Sequence, residues 1–547
     1  MPITFTRNLG HAPGVQLNRL IDNSELPGTL IGDRSFGVVM RSNRGRIDKA
    51  MEIEFGTLTK KLGAGEPIRA NALNEAWAQL YEALMRSNGT AIVSRLVRTS
   101  QAVTKWIVVS QVAPVAPATA NTYTFSVADT QATSDYILQI RHLGCHNDGI
   151  KVSLWADSVT VGGVEQPTKI LNMQLFDANN VQLFSFQGST DPNAKDDYGR
   201  SYYLPDVISA QTDEVIVVVG DNTEFKSGEA LYGHTDLGSE KWLASDVLIA
   251  FIEGDHSYTV DDYQAAMDRL KHSQYDFSYL ASGGTQSSTM LWKLATLAFE
   301  TNRQLRFDID GRLSLEAASA FVESLNLSSA AESHLLQAFW MPVKSDDFSG
   351  LNPNGYIGAA MLNVALTCAK NIALNSKGFA SKNYPTAGIR YPIPRSGLRQ
   401  AITLSDLDLS NLSKRRINPV VFDTFSSGSV CVFRDQITQA LVDNSLRKLI
   451  SVVDMSTDID DRVTRFGKGL VNSFPMTVAV KRMKDFLEKL FSSAKTSGWI
   501  VPGELKSGYS IYVAPNEARP YDVMDVQYAI HYDGAVRQIM VTQTLSR

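Results

Sequence analysis

The stretch Asp525-Val526-Gln527-Tyr528-Ala529-Ile530-His531-Tyr532-Asp533-Gly534-Ala535-Val536-Arg537-Gln538-Ile539-Met540-Val541-Thr542-Gln543-Thr544-Leu545 decides how the rest of the chain is read. Apolar and polar side chains alternate up to Tyr532, Asp533-Gly534 supplies two φ-tolerant positions, and the run from Ala535 is extended again. Such alternation around an Asp-Gly pair predicts a β-hairpin. A hairpin alone is marginal in water, and an edge strand leaves a row of N–H and C=O groups unpaired. Another strand is therefore expected to cover this edge.

Met1-Pro2-Ile3-Thr4-Phe5-Thr6-Arg7-Asn8-Leu9 is also short and β-prone, and Gly10 and Pro13-Gly14 set it off as an arm. It lacks the basic start, long apolar run and small-residue cleavage site of a secretory leader. Two extended termini on one body predict a subunit that adds strands to its neighbours' sheets. The residues expected to make those contacts are Ile3, Thr4, Phe5 and Thr6 in one arm. In the other they are Val536, Gln538, Ile539, Met540, Val541, Thr542 and Leu545.

A chain of 547 residues is too long for one hydrophobic core, so several domains are expected. Its 44% hydrophobic and 20% charged residues are those of an ordinary globular protein. Apolar runs such as Val215-Ile216-Val217-Val218-Val219 are far too short to span a bilayer, so no membrane insertion is expected. A formal charge of −5 gives no basic field for phosphates, which argues against nucleic acid as the main partner. Cys145, Cys368 and Cys431 lie far apart and form neither a zinc pattern nor a disulfide framework; a reducing compartment during assembly fits.

The fold class read from these patterns is multidomain α/β (α+β): a layered α/β core, a β-rich sandwich or barrel-like insertion, and extended N- and C-terminal strand arms. Residues 1–22 form the N-terminal linker arm and 23–100 the first part of the core. There the strand Phe36 to Met40 precedes a helix capped by Asn71 and ended by Gly89, and Ala91 to Val97 follows as a strand. Residues 101–240 are the outward-facing insertion, with short strands at Trp106–Val109, Tyr123–Val127, Tyr136–Ile140, Ile150–Trp155, Ile170–Phe176, Val181–Phe186 and Val215–Val219 and no helical period. Residues 241–400 return to α/β alternation. Strands are expected at Val247–Ile252, Phe277–Leu280, Leu305–Phe307 and Leu335–Trp340, with helices from Thr259, Ser287, Leu313 and Leu362. The C-terminal domain, 401–547, carries a helix from Val478 to Lys495 whose stripe is Met483, Phe486, Leu487, Leu490, Phe491 and Ala494. Its basic residues read either as a solvated face or as a surface complementary to an acidic partner.

Asp308-Ile309-Asp310-Gly311 follows an apolar strand and resembles the first motif of haloacid-dehalogenase-type phosphotransferases. There one carboxylate attacks phosphorus, the other is the acid/base, and magnesium clamps both. That motif needs Thr or Ser after the glycine, and Arg312 stands there; a strand end with an Asp-Gly turn is the alternative. His142, Cys145 and His146 are three candidate zinc ligands without a fourth, so a turn is expected instead. Gly467-Lys468-Gly469 lacks the rest of a P-loop, and Gly63-Ala64-Gly65 breaks off a dinucleotide fingerprint at Ile68. No catalytic, cofactor or metal site is expected.

The order of parts resembles the contractile tail sheath protein of tailed bacteriophages, the myovirus-type family. The resemblance is carried by Pro13-Gly14-Val15, Phe36-Gly37-Val38-Val39, Ala91-Ile92-Val93-Ser94-Arg95-Leu96, and Gly144 with Asn147, Ile150 and Val152. It continues in Leu409 to Asn418 with Gly428 and Val430, while Cys431-Val432-Phe433-Arg434-Asp435 stands where that family often has Trp-Gly and Arg-Thr. The resemblance implies a structural subunit, not an enzyme, polymerising as hexameric rings stacked helically around a tail tube. It implies arms that complete sheets in neighbours, and contraction that drives the tube through the host envelope. The implied partners are the tail tube protein and the baseplate and tail terminator or neck proteins. The implied location is the virion, after assembly in the host cytoplasm. On this reading Lys481, Lys484 and Lys489 are the candidate tube-facing residues. The alternatives are the phosphotransferase centred on Asp308 and Asp310, or another virion or baseplate protein.

Overall fold

The computed structural model describes residues 33–112, 122–157, 160–220, 247–540 and 542–543. Ile3, Thr4, Phe5 and Thr6, and Val541 and Leu545, lie outside the described residues. The architecture is mixed α/β, and the described chain divides into two compact units.

The larger unit comprises the described residues of 33–369 and 385–450, and the chain from 537. Its central sheet runs Met51–Ile53, Thr90–Arg95, Ser35–Met40, Tyr279–Ala281, Gln304–Ile309, Leu336–Trp340, Ile417–Phe425, Gly428–Phe433. The inner pairings are parallel, and both outermost pairings are antiparallel. Parallel strands are covered on both faces, which is why they read as unbroken apolar runs. Alternate residues feed two cores: Val39, Ile92, Leu280 and Phe307 pack with the helices Val260–Lys271, Ser288–Thr301 and Leu315–Leu325. Phe36, Val38, Val93 and Tyr279 pack instead with Glu75–Ser87 and Ala360–Ile372. The Glu75–Ser87 helix ends at Asn88, whose φ of 48° is left-handed, rather than at Gly89. Gly89 is needed for a different reason, since a Cβ there would strike the carbonyl oxygen of Arg34.

Within the same unit, Gln182–Ser189, Ile170–Asp177 and Ile150–Ala156 form one antiparallel sheet. Val215–Val219, Leu138–His142, Trp106–Val112 and Thr122–Ala128 form another. Ile107, Ile140, Val152, Met173, Phe186 and Val217 share one buried cluster between them, the arrangement of a sandwich. The expectation of no helix here is corrected by Leu204–Gln211, which buries Leu204 and Ile208. Two apolar residues four apart are too little period to be seen, and Pro205 in the first turn is the local signal for it. The expected strand Val247–Ile252 shrinks to Phe251–Ile252, paired with Val103–Thr104.

The smaller unit comprises 370–384 and 451–536 among the described residues. It holds nearly all of the helix Ile450–Leu470, which sequence reading missed, and the whole helix Met476–Thr496. These two helices stack Phe466 on Phe486 with ring centroids 3.9 Å apart. Met483, Phe486, Leu487, Leu490, Phe491 and Ala494 are buried as their spacing requires. Lys382 is buried with Asp454 at 3.3 Å and Asp458 at 3.4 Å, and Trp499 donates its indole N–H to the Ala380 carbonyl at 2.9 Å. No described helix is long and apolar enough to cross a membrane.

Candidate assembly surface

The C-terminal stretch forms a hairpin, but with a different partner from the one its Asp-Gly pair predicts. Met524–Ile530 pairs antiparallel with Tyr509–Pro515, in a register from Pro515↔Met524 to Tyr509↔Ile530. The loop is 516–523, tied by Asn516 Nδ2 donating to both carboxylate oxygens of Asp525 at 3.1 and 3.0 Å. The two strands form a sheet of their own, and among the described residues no further strand joins either edge. One face packs on the Met476–Thr496 helix, where Phe491 meets Tyr509 and Tyr528 with centroids 5.4 Å apart in each case. Tyr528 donates its hydroxyl to Asp460 at 2.5 Å, and burial together with that carboxylate raises its phenol pKa.

After an isolated bridge between Ile500 and Tyr532, and a bond from the Asp533 N–H to the Trp499 carbonyl at 3.0 Å, the chain leaves the hairpin. Asp533-Gly534 makes no hairpin turn, and 533–540 contain no strand. This corrects the expected pairing of Asp525–Tyr532 with Ala535–Leu545 inside one chain. Arg537 draws the chain elsewhere, donating to Asp435 at 2.9 and 2.5 Å and to Ser413 Oγ at 3.0 Å. Val536, Ile539 and Met540 are 80%, 80% and 92% exposed, and Gln538 and Thr542 are placed without strand partners in the same stretch. Large apolar side chains are rarely displayed in a row unless something covers them.

Lys481, Lys484 and Lys489 all lie exposed on the Met476–Thr496 helix, opposite the buried stripe. Lys481 and Lys484 are one turn apart, and Lys489 lies further along the same outer surface.

Asp308 is the last residue but one of the Gln304–Ile309 strand, with its side chain on the face opposite Phe307, and it is only 2% exposed. One of its oxygens accepts the N–H groups of Ala359 (2.7 Å) and Ala360 (2.8 Å), and the other accepts from Gln79 at 3.1 Å. It therefore caps the Ala360–Ile372 helix, where a carboxylate completes the free N–H groups and meets the positive end of the helix dipole. Burial nevertheless pushes its carboxyl pKa up. Asp310 is turned the other way, in a fork with Arg312 Nε and Nη2 at 2.8–3.0 Å. The two acids do not face one phosphoryl site. Sequence reading missed the group that does face Asp308: Glu75, which accepts from the Gly358 N–H at 2.7 Å and Gln79 at 2.8 Å. Glu75 reaches the surface in part, but its carboxyl is enclosed by Gln79, Gly284 and Gly358; burial and then the Asp308 charge push it up to about 7.

His142, Cys145 and His146 lie together and buried, but the Cys145 thiol turns to the Leu143 carbonyl at 3.2 Å and to Thr104 at 3.7 Å. Among the described residues no group of three His, Cys, Asp or Glu side chains is gathered as a metal requires.

No protein-family model matches the chain, and no curated protein matches it. Among solved structures it is similar to the sheath tail protein of Desulfitobacterium hafniense, with 13% identity and a TM-score of 0.47 over 95% of this chain and 100% of that one. It is also similar to the six-fold symmetrised anti-feeding prophage baseplate, with 13% identity and a TM-score of 0.39 over 52% of this chain and 73% of that one. A third likeness is to the contracted sheath complex of the extracellular contractile injection system PVC, with 13% identity and a TM-score of 0.39 over 51% and 74%.

Proposed function

We propose that this chain is a structural subunit of a contractile phage tail sheath, assembled by strand addition between copies. The observation that carries the reading is the two-stranded sheet Tyr509–Pro515/Met524–Ile530, which no further strand joins among the described residues, followed by a stretch without strand pairing there that displays Val536, Ile539 and Met540. Two strands alone are marginal, and open edges invite pairing with another chain. An arm that finds its backbone partners only in a neighbour supplies that pairing, and main-chain hydrogen bonds then link successive subunits. The sequence resemblance to the sheath family supports the same reading and adds its geometry: hexameric rings stacked around a tail tube in the virion, capped by baseplate and terminator proteins. In this account Ile3 to Thr6 form the second donated strand, Lys481, Lys484 and Lys489 face the tube, and residues 101–240 project outward.

A phosphotransferase centred on Asp308 is disfavoured by geometry, because both of its oxygens are already engaged and Asp310 points at Arg312. Negative-stain microscopy of the purified chain tests the proposal. Striated sleeves or stacked rings are expected, and monodisperse compact particles at every concentration and salt tried would oppose it.

A further inference from the structure

The stretch that follows the C-terminal hairpin is tied to its own chain at two places. The Asp533 N–H bonds the Trp499 carbonyl at 3.0 Å, and four residues further on Arg537 forks onto Asp435 and reaches Ser413 Oγ at 3.0 Å. Among the described residues, 534–540 make no backbone hydrogen bond, so the second tie is the Arg537 side chain. It is a well-made one. Nε and Nη2 address the two carboxylate oxygens, the planar fork that matches a carboxylate. Asp435 is braced by the Gln436 N–H at 2.8 Å, and Ser413 stands in the last turn of the helix Asp406–Lys414, whose negative end favours a cation. Neighbouring cations have other partners: Arg434 pairs with Asp423 and Arg416 with Asp443. The two side chains are 23% and 14% exposed, so salt screens them less than a fully exposed pair.

The place of this tie limits the arm's reach. With Arg537 held, the free arm begins at Gln538; with it released, the arm begins after Asp533. Those four residues add about 13 Å at full stretch, nearly three times the roughly 4.8 Å between paired strands. Val536, 80% exposed, lies in the part that the tie withholds. A clasped arm cannot lay the whole of 536–540 along another chain's edge, yet several main-chain hydrogen bonds to such an edge outweigh one side-chain pair. We infer that Arg537 and Asp435 form an intramolecular clasp that holds back strand donation in the dispersed chain and yields to an open strand edge of another copy. The inference rests on assembly by strand addition, proposed above. The clasp slows the first contacts between dispersed chains, whereas a polymer end presents its edge ready-made and takes up chains without delay.

Light scattering from the full chain, with and without preformed polymer seeds, tests the clasp. Arg537→Ala and Asp435→Asn should each shorten the unseeded lag by roughly tenfold or more, the ratio expected for loss of a hydrogen bond between charged groups. Seeds should bring these variants and the unaltered chain to similar growth rates. Exchanging the charges, Arg537→Asp together with Asp435→Arg, should restore a long lag. Should one single variant fail to fold, as circular dichroism would show, the other decides. Unchanged lags, or a double variant as quick as the singles, overturn the clasp. Longer lags in the single variants also overturn it, and mark the pair as a contact between chains. No polymer from any of the four chains overturns strand addition itself, and the clasp with it.

Discussion

Arg537 and Asp435 form a two-pronged ion pair, Nε and Nη2 of the guanidinium reaching the two carboxylate oxygens at 2.9 and 2.5 Å. It is the one side-chain anchor described between 533 and 540, and it lies between Val536 and Gln538, two residues of the expected donated strand. A single chain can thus hold its arm by one side chain while, among the described residues, no strand pairs with its backbone. Arg537→Ala is expected to speed amide exchange across 535–540 and to lower stability by about 1–3 kcal/mol, the scale of hydrogen bonds to charged groups. Polymerisation should persist, because backbone pairing does not need that side chain. Loss of polymer with arm exchange unchanged would assign the residue another role.

Proline is the sharper lesion, since it removes the N–H that strand pairing uses. Ile539→Pro should leave a soluble chain with an unchanged melting temperature that forms no tubes. Normal tubes from this variant, seen by electron microscopy, would remove the arm from the assembly mechanism.

Asp308 is predicted to matter for folding and not for turnover. Asp308→Ala strands the Ala359 and Ala360 N–H groups and half of the Gln79 amide, at a cost of about 1–3 kcal/mol. Denaturant titration should show that loss with the slope unchanged. Magnesium-dependent phosphoester turnover that disappears in Asp308→Asn would contradict the account.

Glu75 gives the pH dependence its sign. Burial first, and then the Asp308 charge, raise its carboxyl from 4.5 to about 7, against the hydrogen bonds from Gly358 and Gln79 and the charge of Arg395. The protonated form is the one the fold favours, so its contribution is fully present below about 4.5 and lost as pH rises through about 7. Glu75→Gln should therefore match the unaltered chain at low pH and exceed its stability at pH above 7. His142 and His146 act at the other end: burial first, and then neighbouring cations, lower them from 6.5 to about 4 and about 2. Their stabilising neutral form is lost to the unfolded chain as pH falls below about 6.5. Equal stability–pH curves for the unaltered chain and Glu75→Gln would refute the assignment.

Lys481, Lys484 and Lys489 test the tube contact. Exposed pairs are individually weak, but repetition around every ring would sum them while keeping each contact breakable. The triple Lys→Glu variant should keep its circular dichroism and its self-assembly, yet fail to co-sediment with tail tubes. Undiminished co-sedimentation would exclude this helix face.

What the sequence made legible follows from how local each signal is. Phe36–Met40 and Ala91–Arg95 were readable because strands buried on both faces must be apolar throughout. The Met476–Thr496 stripe was readable because one helix carries its whole period. The hairpin was half right: Met524–Ile530 is a strand, but Asp533-Gly534 offered a better turn than the polar loop 516–523, which is held by the Asn516–Asp525 side-chain contact that no periodicity shows. Asp308 read as a strand end, yet its partners lie some fifty residues on at Ala359 and Ala360. Arg537 and Asp435 are 102 positions apart, and nothing local to either marks the pair.

Amide hydrogen exchange, compared between dispersed chain and assembled polymer, tests strand addition most directly. In the dispersed chain, the outward-facing amides of Tyr509–Pro515 and Met524–Ile530 and the whole of 535–540 should exchange rapidly, because no described strand pairs with them. In the polymer the same amides should become strongly protected together. Strong protection of 535–540 already in the dispersed chain, or rapid exchange there in the polymer, would contradict assembly by donated strands.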